Sequence, residues 1–458
     1  MDKLTLSRRA FLAATTTTAA VATLAGGCAT AQVRVNTARV VPKKHSPNEK
    51  LNIAGIGVGG MGQGDIMNCR SENVVALADC DWKKAEETFV KLPDAKKYKD
   101  YRKMLEEMGD QIDACTISTP DHTHAPAAYM AMNMGKHVRV QKPLTHTIAE
   151  ARLLRQVARD TGVITAMGNQ GHSGDGVREL CEMVWAGAIG QVTEAHIWTN
   201  RPIWPQGIAN PLPEQPVPET IDWDLWIGAA PFRPYNEGYA PFKWRGWWDF
   251  GCGAIGDMAC HIMDPAFWAL RLIDAPSFTC EVLQQEGMTS QTPPNKCVIK
   301  FQFPARAGMG PVDVYWYDGG IMPPWPAGVP EGQKLGDNDN GSLFIGTDGA
   351  MTSGCYGGES RLLPDERMKD YTRPPQIIPR IPDGNSYQNW IYSIKTGEPA
   401  SSHFDYSGPL TEVANMGNVA LLAGAKIEYD FVNGVITNDQ AANKWLTKEY
   451  RAGWELPC

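Results

Sequence analysis

None of the chain's eleven cysteines pair as C-x-x-C, which excludes a zinc ribbon and a thioredoxin-type redox site. The net charge is −8 and no basic cluster overrides that average, which argues against nucleic acid as a partner. No fixed-period repeat runs through it, which excludes solenoids and propellers. The Ala/Thr-rich run that ends at Leu24 is too short and too weakly apolar for a stable membrane span.

That run follows Ser7-Arg8-Arg9-Ala10-Phe11-Leu12, which resembles a twin-arginine export signal. Residues 1–31 are therefore expected to be an address read by the twin-arginine machinery, and the mature protein to be exported to the periplasm. Leu24-Ala25-Gly26-Gly27-Cys28 has the form of a lipoprotein processing site with Cys28 as the lipidated residue. Plain cleavage after Ala29 or Ala31 is the alternative, and both stay open. Folding before export in a reducing compartment predicts scattered buried thiols rather than disulfides.

The remaining ~430 residues exceed one ordinary domain, and 43% hydrophobic residues supply a sizeable core. Residues 32–50 are polar without apolar periodicity, which predicts a linker or an arm over a neighbouring subunit of a homo-oligomer. Residues 51–172 alternate short apolar runs with helical patterns. Strands are expected at 51–56, 74–78, 113–117, 137–140 and 163–167, and helices at 124–134 and 148–161, giving a doubly wound parallel sheet of Rossmann type.

From 173 to 458 the pattern shifts to longer strand-like runs: Gln191 to Thr199, Ser277 to Gln285, Lys296 to Phe303 and Val312 to Tyr317. An α+β domain with a large, mostly antiparallel open sheet is predicted. Stretches rich in proline and glycine at 202–218, 319–341 and 372–385 read as surface loops, and helical patterns return at 386–396 and 410–425.

The first strand runs into Gly57-Val58-Gly59-Gly60-Met61-Gly62, and the second delivers Asp79 at its carboxyl end. That is a dinucleotide-binding layout. The first glycine permits a tight turn, the second lets backbone approach a pyrophosphate, the third packs helix on strand, and the helix N-terminus offers free N–H groups. Asp79 would hold the ribose hydroxyls and disfavour a 2′-phosphate, so NAD is expected over NADP. Because twin-arginine substrates cross the membrane folded, the cofactor can travel inside and should be held tightly.

Three segments in the first domain, Ser118-Thr119-Pro120-Asp121-His122-Thr123-His124, Gly135-Lys136-His137-Val138 and Gln141-Lys142-Pro143-Leu144, carry a family resemblance. With Gly251-Cys252-Gly253-Ala254-Ile255-Gly256-Asp257-Met258-Ala259-Cys260-His261 they resemble the Gfo/Idh/MocA oxidoreductases, named for glucose–fructose oxidoreductase and inositol dehydrogenase. The resemblance implies catalytic roles for Lys142, Asp257 and His261. Two features depart from the family: Gln141 stands where its motif has glutamate, and the loops at 202–218 and 319–385 are longer than a minimal member needs.

The chemistry agrees on independent grounds. Oxidising a secondary alcohol requires a base for the hydroxyl proton and a donor that steadies the oxygen. His261, with an ordinary pKa near neutrality, is the expected base. Asp257, four residues earlier, shares its helix face, and Lys142, at the end of a parallel strand, points into the crevice.

Cofactor contacts are expected from Gly57, Gly59, Gly60, Met61, Gly62 and Asp79. Thr119, Pro120, His122, His124 and Lys142 are expected to join them. The His122–His124 spacing resembles a metal pair, but no third ligand accompanies it and no motif requires a metal. Asn169, Gln170 and His172, after the last parallel strand, either orient sugar hydroxyls or form an amide-rich connection. Tryptophans concentrated between Trp198 and Trp248 are mostly core, with some, such as Trp244, free to stack on sugar C–H faces. Arg245 is the expected polar substrate contact, a salt bridge its alternative.

A sugar, glycoside or polyol oxidoreductase is the leading expectation. Glycoside cleavage through transient oxidation by bound NAD is the first rival, and a carbohydrate-binding protein with a vestigial cofactor site the second.

Overall fold

In the computed structural model the described residues are 42–337 and 339–458. The expected export signal, Cys28 and residues 32–41 of the expected arm lie outside them. The remainder of the arm reaches the chain's own first domain, where the buried His45 stands 3.6 Å from Asp113. Among the described residues, no helix is long and apolar enough to cross a membrane, and every cysteine is a free thiol.

The first sheet contains β1 (Asn52–Ile56), β2 (Asn73–Ala78), β3 (Lys96–Tyr98), β4 (Ala114–Ile117), β5 (His137–Val140) and β6 (Thr165–Met167). They are parallel in the order β3-β2-β1-β4-β5-β6. Chain direction across the sheet reverses between β1 and β4, and a crevice opens there at the carboxyl ends. Five strands follow the apolar pattern. The polar β3, Lys-Lys-Tyr, has no pattern to find and exists because β2 offers it an edge.

Helix Ile148–Thr161 has the expected bounds because Thr147 and Glu150 form a capping box and Gly162 closes it at φ 71°. Helix Asp121–Asn133 starts earlier than expected, directly after Pro120.

The second sheet is larger. Its strands are β7 (Val192–Trp198), β8 (Ser277–Glu286), β9 (Lys296–Phe303), β10 (Val312–Tyr317), β11 (Gly341–Gly346), β12 (Gly349–Ser353), β13 (Arg361–Leu363), β14 (Ile427–Asp430) and β15 (Val435–Ile436). In the order β13-β12-β11-β7-β10-β9-β8-β14-β15, only the β7–β10 pair is parallel. Three of these strands, β11 to β13, correct the expectation of one long loop over 319–385. The short run Ser342-Leu343-Phe344-Ile345 is framed by glycines that mimic a loop, and pairing with β7 makes it a strand.

Helix Phe404–Ala423, six residues longer at its start than expected, packs against helices Ile148–Thr161 and Gly253–Ile262 and against β8. Gly417 permits this approach, since a Cβ there would stand 2.7 Å from Ile255 and 3.1 Å from Ile299. Its Glu412 is fully buried and accepts from Arg152, Arg155 and the Tyr429 hydroxyl. One helix thus fixes the two sheets and brings the Gly253–Ile262 helix to the end of β5.

Candidate active site

The crevice above β1, β2 and β4 is a cavity of ≈ 400 Å³ lined by Gly57, Gly59, Gly60, Met61, Asp79, Thr119, Pro120, His124, Lys142, Trp244 and Arg245. Gly57 sits at φ 72°, and a Cβ on Gly62 would stand 1.8 Å from the Gly57 carbonyl oxygen, so helix Met61–Met67 needs glycine there. Asp79 Oδ2 accepts from Val58 N and Gly59 N at 2.8 and 3.1 Å, and Oδ1 from Asp81 N at 2.9 Å. Burial outweighs these bonds and pushes its carboxyl up to about 6. The far wall comes from the second domain, whose 220–222 stretch is bonded to the first by Trp82 N to Thr220 O and Asp222 N to Cys80 O.

The two histidines of the 118–124 motif separate. His124 lines the crevice and joins its walls, with Nδ1 2.8 Å from Pro143 O and Nε2 2.9 Å from Thr119 O. His122 does not line it, contrary to expectation. It is fully buried between Trp226 and Phe250, with ring nitrogens 3.0 Å from Trp226 O and 3.3 Å from Phe250 O. Burial lowers its pKa to about 3, so this neutral ring pins the 220–250 segment to the first domain.

At the end of the crevice beside β5, Lys142 Nζ donates to Asp257 Oδ1 at 2.9 Å and to its carbonyl at 2.8 Å. Arg245 Nε donates to the same Oδ1 at 3.2 Å, and Arg201 Nε lies 3.8 Å from Oδ2. Burial would raise the Asp257 carboxyl, but Lys142 and Arg245 outweigh it and hold it at about 2.

Asp257 and His261 share a helix face as expected, yet among the described residues no hydrogen bond joins them. His261 is 5% exposed, and its buried Nδ1 has no hydrogen-bond partner. Burial, then the charges of Lys142 and Arg201, depress its pKa to about 3 against the pull of Asp257. The expected titration near neutrality is thereby corrected: the ring is neutral throughout the physiological range.

Residues 169–172 divide. Asn169 is fully buried, and both polar side-chain atoms lack a partner among the described residues. Gln170 is exposed and donates to the Tyr356 hydroxyl at 3.3 Å. His172 is corrected from substrate contact to structural group. It is buried with Nδ1 3.0 Å from Asp264, which also accepts from Tyr406 at 2.6 Å, and its ring packs on Trp268 and Tyr406. Arg245 makes the salt bridge that is its alternative reading, paired with Asp257, while its guanidinium lies 4.2 Å over the Trp244 ring at the crevice wall.

Residues 51–169 match a family model described as "Oxidoreductase family, NAD-binding Rossmann fold", and residues 184–289 match "Oxidoreductase family, C-terminal alpha/beta domain". The chain belongs to the Gfo/Idh/MocA oxidoreductase family. It is 32% identical over 108 residues to the scyllo-inositol 2-dehydrogenase (NAD(+)) of Bacillus subtilis, covering 24% of this chain and 31% of that one. It is 29% identical over 191 residues to a glycosyl hydrolase family 109 protein of Shewanella pealeana, covering 37% and 41%. The chain spans between 19% and 52% of the length of the curated relatives it was compared with. Among solved structures, the WlbA dehydrogenase of Bordetella pertussis in complex with NADH and UDP-GlcNAcA shares the fold at a TM-score of 0.55 and 14% identity, over 82% of this chain and 98% of that one.

Against the Gfo/Idh/MocA pattern, the Gln141 departure has a local cause. Its Nε2 donates to both oxygens of buried Asp65, at 3.1 and 2.9 Å, where Ser118 and Tyr387 also donate. Its Oε1 accepts from Lys142 N at 3.2 Å. A glutamate there would set two carboxylates against each other.

Two site residues escape sequence reasoning, and neither stands in a motif. Arg201 lies three residues past the end of β7, and Tyr356 lies beyond both matched segments. The Tyr356 ring meets His261 edge-on, with centroids 5.1 Å apart, from a left-handed backbone at φ 59°. Its seat is Gly171, where a Cβ would stand 2.0 Å from the ring. The one sequence trace of this contact is that glycine.

Proposed function

We propose that the protein is an exported, NAD-dependent oxidoreductase that moves a hydride between a secondary alcohol of a sugar, glycoside or polyol and a tightly held nicotinamide cofactor. Residues 51–172 would serve as the cofactor domain and 173–458 as the substrate and oligomerisation domain. One observation carries this reading: Lys142, on the wall of a glycine-lined crevice, is ion-paired with Asp257, and His261 stands one helical turn beyond Asp257 with its buried Nδ1 unpartnered among the described residues.

The residues present fit a dinucleotide. The crevice needs glycine at 57 and 62, and Thr119 Oγ1 is buried without a partner among the described residues. Asp79, at the carboxyl end of β2, is the group proposed to receive ribose hydroxyls, a role that would favour NAD over NADP. When bound, the cofactor supplies the hydride acceptor.

The chain's own groups do the rest. Lys142, steered by Asp257, donates to the substrate oxygen as it gains negative character. His261, kept neutral, offers a ring nitrogen to the hydroxyl proton.

The family 109 relative supports a second reading, glycoside cleavage in which the cofactor is oxidised and reduced within one turnover. Export adds to it, since net oxidation needs an acceptor to regenerate the cofactor. Incubating protein purified without added cofactor with sugars, polyols and aryl glycosides separates these readings. Net NADH formation supports the dehydrogenase, and aglycone release without it the hydrolase. Neither activity, with no nucleotide released on denaturation, overturns both in favour of a binding protein.

A further inference from the structure

Beside His261, three cations meet one carboxylate. Lys142, Arg245 and Arg201 all approach Asp257, and the four side chains are between 12% and 26% exposed. Charge surplus there is weakly screened and lacks a counter-ion. Two other carboxylates border the cluster, each tied to backbone through one oxygen, and Oδ1 of Asp337 is buried without a partner among the described residues. Asp121 accepts from Cys252 N at 3.0 Å and Asp337 from Cys355 N at 2.9 Å. Among the described residues neither lies in an ion pair with the three cations, and burial raises the Asp121 carboxyl above its ordinary value.

Each guanidinium is oriented through Nε and keeps nitrogens free. Arg245, steadied on Trp244, makes no other hydrogen bond among the described residues. Arg201 gives Nη1 to Asn200 and retains Nη2. Arg245, from the crevice wall, and Arg201, from the loop after β7, flank the Lys142–Asp257 pair with N–H donors to spare, and guanidinium forks match a planar carboxylate best. Hydroxyl groups alone would leave that charge unanswered.

We propose that the substrate is an acidic carbohydrate whose carboxylate sits in the forks of Arg201 and Arg245, with the reacting secondary alcohol on the same ring. The assignment rests on the oxidoreductase reading above and narrows its substrate to the hexuronate and hexuronoside class. A sugar phosphate or sulfate would present the same charge in tetrahedral form.

The test uses NAD-saturated wild-type protein and methyl glycosides in pairs that differ only at C6: glucoside and glucuronide, galactoside and galacturonide, mannoside and mannuronide. The 6-phosphates and 6-sulfates form a third arm. The acid should lead its neutral twin by about tenfold or more in kcat/KM, mainly through KM. Raising NaCl from about 0.05 to 0.5 M should shrink that lead.

Arg201→Gln and Arg245→Gln should collapse the acid-to-neutral ratio. Arg201→Lys and Arg245→Lys, which keep charge but lose the fork, should restore it in part. A lead for phosphate or sulfate upholds the oxyanion site and reassigns the group.

Equal use of acid and neutral twins overturns the proposal and leaves the oxidoreductase reading standing. Loss of NAD affinity in Arg245→Gln with an unchanged ratio overturns it too, giving that guanidinium to the cofactor's pyrophosphate. A wild type that neither oxidises nor cleaves any member overturns the underlying reading, and this one with it.

Discussion

His261 shows how far a tertiary setting can move one side chain. Imidazole ordinarily titrates near neutrality, but here burial and neighbouring cations hold it at about 3, and Asp257 at about 2. With NAD saturating, kcat/KM should therefore be flat from about pH 5 to 7, since neither group changes charge in that window. His261→Ala should cut turnover by about 10²–10⁴-fold with cofactor affinity nearly intact. An inflection near pH 6.5 that disappears in the variant would show that the ring titrates after all.

Asp79 moves the opposite way, raised to about 6. The sign follows from linkage. A carboxyl raised in the fold favours it below the unfolded value of 3.8, and that contribution is lost as pH rises through about 6. If the ionised carboxylate receives the ribose hydroxyls, NAD affinity should climb between about pH 5 and 7 and then level. In Asp79→Asn the climb should vanish and the preference over NADP should narrow. Calorimetric titration at several pH values would check both, and identical pH dependence in the variant would refute the ribose assignment.

Among the elements, β5 matters most for the site because its last turn delivers both Gln141 and Lys142. Gln141 ties that turn to Asp65 on helix Met61–Met67, and Tyr387, from helix Ser386–Thr396, donates to the same carboxylate. Gln141→Glu restores the family's residue but creates a buried carboxylate pair. It should cost about 1–3 kcal/mol at pH 7.5. The pair raises the folded-state pKa, so the loss should shrink on acidification toward pH ~5. Denaturant midpoints at the two pH values measure it; equal loss at both would mean that charge repulsion is not the cause.

Taken whole, the molecule joins a parallel and a mostly antiparallel sheet through helix Phe404–Ala423, and its site draws on both. The proposed cofactor-binding groups come from the first sheet's turns, while Asp257, His261, Arg201, Arg245 and Tyr356 come from the second domain. Such a protein, if exported folded, should leave the cytoplasm only with its twin-arginine signal intact. Substituting Arg8 and Arg9 together by lysine should retain it inside, as fractionation of cells would reveal. Undiminished export of that double variant would point to another route.

Local physics explains what was legible from residues alone. Apolar periodicity exposed five of the six parallel strands and four of the second sheet's nine. Glycine spacing exposed the dinucleotide turn, and a four-residue interval put Asp257 and His261 on one helix face. Each of these depends on neighbours in the chain.

Long-range packing decided the rest. Hairpin strands β11 and β12 were hidden among glycines until β7 gave them an edge. His122 and His172 resembled site groups until buried carbonyls and Asp264 claimed them. Arg201 and Tyr356 reach Asp257 and His261 only because the second sheet packs beside helix Gly253–Ile262 within the same domain. The neutrality of His261 is equally tertiary, because burial and the approach of Lys142 and Arg201 exist only once distant segments close around it.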